Sequence, residues 1–331
     1  MAAEIAEQPE VLARILREAA GAIAEVRARI DAQPPRFVVL AARGTSDHAA
    51  LYAKYLVEVG RQLPAGLASP STLTLYGARP DLRDVLFVAI SQSGSSPDLV
   101  GSVQAARECG ALTVAVTNAP QSPLASAAAH HVDICAGPER SVAATKTYTA
   151  QLLALYLLLA EGSPAPAADP LPEAAARTLA LGDHPLAAAG RYRFAQRLVT
   201  TARGYSYATA REAALKVMET CYLPAQAFSG ADLLHGPLAM VDRETAVVAV
   251  TTPGAGGAAM APVVERLQLL GADLLCVGAA DGLPVASAGL REELLPVLEI
   301  LPLQQLAWRM ALDRGVDPDR PRGLSKVTET W

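Results

Sequence analysis

The chain has 331 residues, of which 51% are apolar and 18% are charged, so it can bury a sizeable core and is long enough for about two domains. The formal net charge of −5 disfavours nucleic acid and anionic membrane surfaces as partners. The cysteines form no Cys-x-x-Cys pair, and the longest apolar run, Leu152–Ala160, is too short to span a bilayer. Because Met1–Glu10 lack the apolar segment of a signal peptide, we expect a cytoplasmic protein with reduced thiols.

Strands and helices are predicted to alternate through the first half of the chain. A helix over Val11–Ile30, with apolar residues at helical spacing, precedes a short buried strand at Phe37–Ala41 that ends in Arg43-Gly-Thr-Ser46. The elements expected next are a helix from Asp47 to about Gly60, a loop to Leu75, a strand at Val85–Ile90, a helix from Pro97 to about Cys109, strands at Leu112–Val116 and Val132–Ile134, and a helix over Ala143–Ala160. This alternation predicts an α/β fold with a parallel sheet covered on both faces.

A hydroxyl-rich turn follows one of these strands. Val85–Ile90 runs directly into Ser91-Gln-Ser-Gly-Ser-Ser96, and Pro97 suits the first position of a helix. The N–H groups and positive dipole end of a helix N-terminus attract phosphate, and the uncharged side chains of the turn suit a small phosphate monoester. The turn is therefore either a phosphate-binding cup or a serine-rich loop that only caps its helix.

The second half of the chain repeats the first at an offset of about 160 residues. The matched pairs are Val38–Ser46 with Leu198–Ser206, Leu86–Ser91 with Ala246–Thr251, and Gly110–Val116 with Gly271–Val277. Between the halves, the proline-rich segment Ser163–Pro172 is the clearest linker. We predict two tandem doubly wound, flavodoxin-like domains, with an N-terminal helix (1–35), a first domain (36–160), a linker and helix (161–190), a second domain (191–320) and a C-terminal tail (321–331).

The turn of the second domain that corresponds to the cup has lost most of its hydroxyls. It reads Thr251-Thr-Pro-Gly-Ala-Gly-Gly257, so we expect the first domain to hold the phosphate. Gly254-x-Gly256-x-x-Ala259 matches a dinucleotide fingerprint, but the acidic residue expected at the end of the next strand is missing, since Asp273 stands at its beginning. His130 and His131 precede the strand at Val132–Ile134, and adjacent residues there point to opposite faces, which disfavours a shared metal. The sequence predicts neither a cofactor nor a metal.

Six short motifs, spread in order over nearly the whole chain, carry a resemblance to a known family. They are Arg43-Gly-Thr-Ser46, Ser91-Gln-Ser-Gly94, Val142-Ala-Ala-Thr-Lys146, Ala214-Leu-Lys-Val-Met-Glu219, His235-Gly-Pro237 and Leu324-Ser-Lys326. In these motifs the chain resembles the sugar isomerase (SIS) family, and more closely the double-SIS isomerase half of the glucosamine–fructose-6-phosphate aminotransferases. The leading cysteine of that family's glutaminase domain has no counterpart here. We therefore expect a stand-alone protein similar to the type II glucosamine-6-phosphate deaminases.

The resemblance implies roles for particular residues in ring opening, C1–C2 proton transfer and loss of ammonia. It implies that His235 opens the sugar ring, in its own subunit or in the neighbouring subunit of a homodimer with a shared active site. Glu219 would shuttle the proton, with Lys216 and Glu212 ordering the charges around it, and Lys326 would form a Schiff base with the sugar carbonyl. The implied substrate-binding residues are Thr45, Ser46, Ser91, Gln92, Ser93, Ser96, Val142 and Ser325.

Each catalytic assignment has a structural alternative. Glu212 and Lys216, four residues apart, are typical of an ion pair on the surface of a helix. Without the resemblance, Glu219 suits a solvated residue in the last turn of a helix, His235 suits a loop and Lys326 suits a flexible tail. Ser95 stands where the aminotransferases have glutamate, which leaves the exact substrate open.

The sequence favours an amino-sugar phosphate deaminase/isomerase that converts glucosamine 6-phosphate, or a close analogue, to fructose 6-phosphate and ammonia. One alternative is a deglycase acting on a sugar phosphate attached to an amino acid. Another is a non-catalytic regulator that binds a sugar phosphate, although a regulator would not need Glu219, His235 and Lys326 together. The expected partner is a small sugar phosphate, with no nucleic acid and no membrane.

Overall fold

A computed structural model describes residues 1–326 and divides them into two compact units. The first unit comprises Glu10–Glu139, Lys146–Asp169 and residues 325–326. The second unit comprises Met1–Pro9, Arg140–Thr145 and Pro170–Leu324. Each unit contains one parallel sheet with helices, which confirms the predicted pair of doubly wound α/β domains. Each also draws on separated stretches of chain rather than on one continuous range.

The secondary structure of residues 1–326 follows the predicted alternation. The strands are β1 (Phe37–Ala41), β2 (Ala65–Leu67), β3 (Val85–Ser91), β4 (Leu112–Thr117), β5 (His130–Asp133), β6 (Leu198–Ala202), β7 (Ala225–Ser229), β8 (Ala246–Val250) and β9 (Asp273–Val277). The α-helices are α1 (Ala2–Ala6), α2 (Gln8–Arg14), α3 (Ala20–Ala32), α4 (Thr45–Tyr55), α5 (Pro70–Thr74), α6 (Pro97–Glu108), α7 (Pro123–Ala127), α8 (Lys146–Leu159), α9 (Pro164–Ala168), α10 (Leu171–Leu179), α11 (Asp183–Tyr192), α12 (Tyr207–Cys221), α13 (Gly230–Leu234), α14 (Ala255–Ala258), α15 (Ala261–Leu269) and α16 (Leu295–Asp313). Short π turns cover Ile15–Ala19 and Leu56–Arg61, and short 3₁₀ turns cover Gly204–Ser206, Pro237–Met240 and Glu292–Leu294.

The sheet of the first unit has the order β2-β1-β3-β4-β5, and all neighbouring strands are parallel. β3 lies between β1 and β4, so both of its edges are hydrogen-bonded, and every residue after Val85 is buried. This position explains the unbroken apolar run of β3, because a central parallel strand is covered on both faces. On one side, Phe87 packs with Leu99 and Val103 of α6.

The sheet of the second unit has the order β7-β6-β8-β9, again with parallel neighbours. The long helix α16 packs against α10, α11 and α12. On the sheet, Val247 of β8 belongs to a buried cluster with Met260 and Leu267. The order of these strands repeats the first four of the other sheet, as the sequence repeat requires.

Several boundaries differ from the predicted ones. The expected loop before Leu75 contains β2 and α5, because the edge strand β2 has three residues, one of them glycine, and so lacks an apolar run. The expected linker Ser163–Pro172 folds partly into α9, whose Pro164 is accepted in the first turn of a helix. Among the described helices, none combines the length and apolarity needed to cross a bilayer.

Candidate active site

The hydroxyl-rich turn of the first unit lies at the point where the strand order of its sheet reverses. β1 and β3 are adjacent and parallel, with Ala41 opposite Ala89, so the loops that follow them meet at one edge of the sheet. From β1 the chain moves outward to β2, and from β3 it moves the other way to β4. Open α/β sheets bind ligands at such a switch point, which brings Thr45 and Ser46 to the same edge as Ser91–Ser96.

Internal hydrogen bonds shape this turn, which we call the cup (Ser91–Ser96). The Ser91 hydroxyl accepts a hydrogen bond from the N–H of Gly94 (3.1 Å), and the Ser93 hydroxyl accepts one from the N–H of Ser95 (3.3 Å). Ser96 occupies the N-cap position of α6, yet within residues 1–326 its side chain makes no capping bond. The Ser96 side chain therefore does not cap α6, and the assignment of the turn as a phosphate cup stays a prediction.

An ion pair joins the loop after β1 to the start of α6. The guanidinium of Arg43, after β1, contacts Asp98 Oδ2 through both Nε and Nη2 at 2.8 Å. The Asp98 side chain is almost fully buried in the first turn of α6, and its Oδ1 also accepts the N–H of Leu99. Since Arg43 offsets this carboxylate, the positive end of the α6 dipole is not opposed by an unpaired negative charge.

A buried glutamine orients one hydroxyl of the predicted phosphate site. Gln151 of α8 donates a hydrogen bond from Nε2 to the Ser46 hydroxyl at 3.0 Å, and both residues are buried. Because the Ser46 oxygen accepts this bond, its own proton remains for another acceptor, such as a phosphate oxygen. Sequence reasoning missed Gln151, which lies 105 residues from Ser46.

The tail lysine is held by a buried carboxylate. Lys326 Nζ lies 2.7 Å from Glu139 Oε2, and the Glu139 side chain is fully buried. Thr147, in the first turn of α8, donates to the same carboxylate from its N–H (3.1 Å) and its hydroxyl (2.7 Å). Glu139 is the second residue that sequence reasoning missed, although it stands three residues before the family motif that begins at Val142.

Gly94→Ala is expected to disrupt the cup. Gly94 has φ of +63°, and a Cβ added there would lie 2.1 Å from the Ser122 hydroxyl oxygen. We expect affinity for a phosphate monoester, measured by titration calorimetry, to fall at least about tenfold, with a loss of about 1–3 kcal/mol in the free energy of unfolding from the strained backbone. The control is Gly101→Ala in α6, where a Cβ meets only Thr74 at 3.4 Å and binding should not change. Equal binding by both variants would contradict the assignment of the cup.

In the second unit, three predicted catalytic residues share one helix and contact one another. Lys216 Nζ lies 3.3 Å from Glu212 Oε1 and 2.6 Å from Glu219 Oε2, all on α12. Glu212 and Lys216 have fully buried side chains, whereas the Glu219 side chain is 21% exposed. The alternative of a surface ion pair is therefore wrong for Glu212 and Lys216. Glu219 is the member of the cluster that reaches solvent.

The charge state of this cluster follows from the two carboxylates. Burial alone would lower the pKa of Lys216, but Glu212 and Glu219 outweigh it and hold the pKa above its usual value. Lys216 is thus a fixed ammonium at neutral pH. Its bond to Oε2 restricts the rotation of the Glu219 carboxylate, as a proton shuttle between two adjacent carbons requires.

Three further predicted site residues, His235, Val142 and Ser325, are exposed or half-buried. His235 follows α13 in an exposed turn, where its N–H bonds the carbonyl of Asp232. Among residues 1–326, no hydrogen bond links its imidazole to Glu219. Val142 is half-buried, with its N–H donating to the carbonyl of Asp319 in the same unit, and Ser325 is exposed.

The second unit fills its own copy of the cup with two glutamates. The fully buried Glu299 of α16 accepts hydrogen bonds from Ser206 and Thr209, each at 2.8 Å, and from Thr252. Ser206 and Thr252 correspond to Ser46 and the cup in the sequence repeat. Glu292 accepts the N–H groups of residues 255 and 256, each at 2.8 Å, where a dinucleotide fingerprint would hold pyrophosphate. These contacts favour phosphate binding by the first unit and disfavour a dinucleotide site.

Glu299→Gln should change how stability depends on pH. Burial raises the pKa of Glu299 from its usual 4.5, so the folded protein binds this proton more tightly than the unfolded chain does. The wild type should therefore lose stability relative to Glu299→Gln as pH rises above about 4.5. Glu299→Ala, which leaves three buried hydroxyls without their acceptor, should cost about 2–4 kcal/mol. Urea unfolding between pH 4 and pH 8 measures the free energy of unfolding of wild type and both variants. A difference between wild type and Glu299→Gln that does not change with pH would contradict the expected pH dependence.

No metal site accompanies these groups in the part of the chain that the structure describes, which holds no cluster of three or more potential ligands among His, Cys, Asp and Glu. The two adjacent histidines lie in β5. Burial lowers the pKa of His131, and its Nε2 lies 2.8 Å from the Thr117 hydroxyl. His131 is therefore a neutral, half-buried histidine with its own hydrogen-bond partner.

Comparison with known proteins reveals relatives over nearly the whole chain. The sequence profile of the SIS domain matches residues 34–161 and 192–289. The isomerizing glutamine–fructose-6-phosphate aminotransferase of Pyrococcus horikoshii is 32% identical, and the match covers 98% of this chain and 57% of the relative. The corresponding protein of Methanothermobacter thermautotrophicus is 33% identical, and the match covers 87% of this chain and 51% of the relative. The chain thus spans a little over half the length of these relatives. A Silicibacter pomeroyi DSS-3 crystal structure, described as that of a candidate phosphosugar isomerase, superposes with a TM-score of 0.85 at 36% identity, covering 96% of this chain and 98% of the other.

Proposed function

Because this chain belongs to the SIS domain family, we propose that it is an amino-sugar phosphate deaminase/isomerase. Its substrate would be glucosamine 6-phosphate or a close analogue, and its products fructose 6-phosphate and ammonia. The observation that carries the proposal is the partly exposed Glu219 carboxylate, held at 2.6 Å by a buried lysine. A binding protein has no need to orient one carboxylate in this way, whereas C1–C2 proton transfer requires it.

The cup supplies the proposed phosphate contacts. Hydroxyls of Ser46, Ser91, Ser93 and Ser96 and the amide of Gln92 can donate to phosphate oxygens, together with N–H groups at the start of α6. Thr45 begins α4 at the same sheet edge. Since this site consists mainly of neutral donors, it suits a monoester better than a polyphosphate with more negative charge.

The proposed reaction consumes one water molecule. His235 takes the proton of the C1 hydroxyl and protonates the ring oxygen, which opens the sugar to the aldehyde. Glu219 moves the C2 proton to C1 while a proton of the amine passes to the C1 oxygen, so that the aldehyde becomes an alcohol and the amine becomes an imine at C2. The amine of Lys326 adds to C2 and expels ammonia, and water then hydrolyses the Lys326 imine to release fructose 6-phosphate. In this scheme the enzyme is a homodimer, and His235 acts in its own or the neighbouring subunit.

The test is incubation with glucosamine 6-phosphate in the absence of glutamine, with ammonia and fructose 6-phosphate assayed together. We expect both products in equal amounts. Glucosamine without phosphate is the matched control and should react at a much lower rate, because it cannot use the cup. Tight binding of the sugar phosphate without either product would overturn the proposal and leave a different amine substrate or a regulator.

A further inference from the structure

The proposed reaction requires Lys326 to hold its amine at one place, although it lies in the tail beyond the last helix. α16 ends at Asp313, and residues 314–326 contain no further helix or strand. The Lys326 side chain is 25% exposed, and Ser325 before it is exposed. A lysine in such a segment loses much conformational freedom when it is fixed, so a specific partner is needed to hold it.

Glu139 has the properties of that partner. Its side chain is fully buried, and two donors of Thr147 orient it at the start of α8, where the helix dipole favours negative charge. The carboxylate is therefore in place before the tail arrives. Its Oε2 accepts the Lys326 ammonium at 2.7 Å.

The same helix ties this ion pair to the cup. Thr147 and Gln151 lie four residues apart on α8, which places them on one face about 6 Å apart along the helix axis. Thr147 holds Glu139, and Gln151 holds the Ser46 hydroxyl. A second connection runs through Asn118, whose N–H bonds the carbonyl of Gln92 and whose side-chain amide bonds the carbonyl of Gly137, two residues before Glu139.

From these contacts we propose that Glu139 is the positioning residue of Lys326. It anchors the tail ammonium at a fixed distance from the phosphate cup, and it takes the ammonium proton when the neutral amine attacks the sugar. That proton returns when the Lys326 imine is hydrolysed, so protons balance over the cycle. The catalytic part of this inference rests on the proposed function, whereas the anchoring does not.

Trypsin measures the anchoring without any substrate. To cleave after Lys326, trypsin must take this side chain into its own acidic pocket, so cleavage competes with Glu139. The reference within each sample is cleavage after the nearby exposed Arg322. We expect the ratio of Lys326 to Arg322 cleavage, measured by mass spectrometry in brief digests, to rise at least about fivefold in Glu139→Gln, as loss of a charge-assisted bond predicts.

Three further variants make the comparison specific. Glu58→Gln breaks a half-buried ion pair with Lys54 (2.6 Å) in the same unit and should leave the ratio unchanged. Glu139→Asp keeps the charge and should restore part of the protection. Thr147→Val removes one donor to Glu139 at nearly constant volume, and it should raise the ratio moderately even if Glu139→Gln does not fold.

Kinetics with glucosamine 6-phosphate then separate positioning from structure. In Glu139→Gln we expect kcat to fall about 10–100-fold, with KM changed much less, because the phosphate contacts remain. An unchanged cleavage ratio in both Glu139→Gln and Thr147→Val overturns the anchoring. A raised ratio with unchanged kcat overturns the positioning role. A raised ratio with no turnover by the wild type supports the anchoring and overturns the proposed function instead.

Discussion

Replacing Lys216 with methionine is expected to lower the free energy of unfolding by about 3–5 kcal/mol at pH 7. The substitution keeps most of the side-chain volume but removes the ammonium that lies between Glu212 and Glu219. Glu212 is fully buried, so it would remain as an uncompensated charge away from water. Urea unfolding of wild type and variant gives the difference directly.

The pH dependence of this difference has a definite sign. The pKa of Lys216 is raised in the folded state, so its stabilising contribution is complete below the usual value of 10.5 and is lost as pH rises beyond it. The difference in the free energy of unfolding between wild type and Lys216→Met should therefore decrease as pH rises above about 10.5. A gap that is constant through this range would mean that the lost contacts are not ionic.

One further variant controls for the general effect of removing a lysine, and a second tests the role of the buried Glu212 charge. Lys54→Met breaks a surface pair with Glu58 that is also at i,i+4 spacing, and it should cost less than about 1 kcal/mol. The double variant Glu212→Gln/Lys216→Met removes the orphan charge and should recover much of the loss. A loss below about 1 kcal/mol in Lys216→Met itself would show that the buried charges are not needed for folding.

The sequence predicts best what depends on neighbouring residues. The cup could be found because strand, turn and helix start lie within Val85–Pro97, and each has a local signature. β7 was missed because its five residues form a half-exposed edge strand without an unbroken apolar run. Spacing also predicted that Lys216 reaches Glu212, but it could not predict the burial of this pair, which is set by distant helices such as α16.

Contacts that join distant parts of the chain leave no local signal. Lys326 and Glu139 are 187 residues apart, and Gln151 and Ser46 are 105 apart. Glu299 likewise meets the hydroxyl of Ser206 across 93 residues. Such pairs form only when the fold brings distant segments together. The residues that orient the candidate site were therefore found only in the structure, whereas several residues that would contact the sugar phosphate could be identified from the motifs.

Glu219→Gln should abolish turnover while leaving binding largely intact. Glutamine has nearly the same shape and can still accept a hydrogen bond from Lys216, but its amide cannot carry a proton between C2 and C1. General acid–base catalysis contributes about 10²–10⁴-fold, so we expect kcat with glucosamine 6-phosphate to fall by about that factor. The affinity for fructose 6-phosphate should change little, because the cup is untouched.

Deuterium exchange isolates the step that Glu219 performs. When fructose 6-phosphate and an ammonium salt are incubated with the enzyme in heavy water, reversal of the proposed proton transfer would introduce deuterium at C1, and Glu219→Gln should not catalyse this exchange. Glu265→Gln, on the exposed face of α15, changes the charge equally and should behave as wild type. Retention of more than about a tenth of kcat and of the exchange by Glu219→Gln would assign the shuttle to another group. Loss of the exchange with binding retained would separate the chemistry of this carboxylate from its part in the buried charge cluster, since Lys216 would still be paired with Glu212.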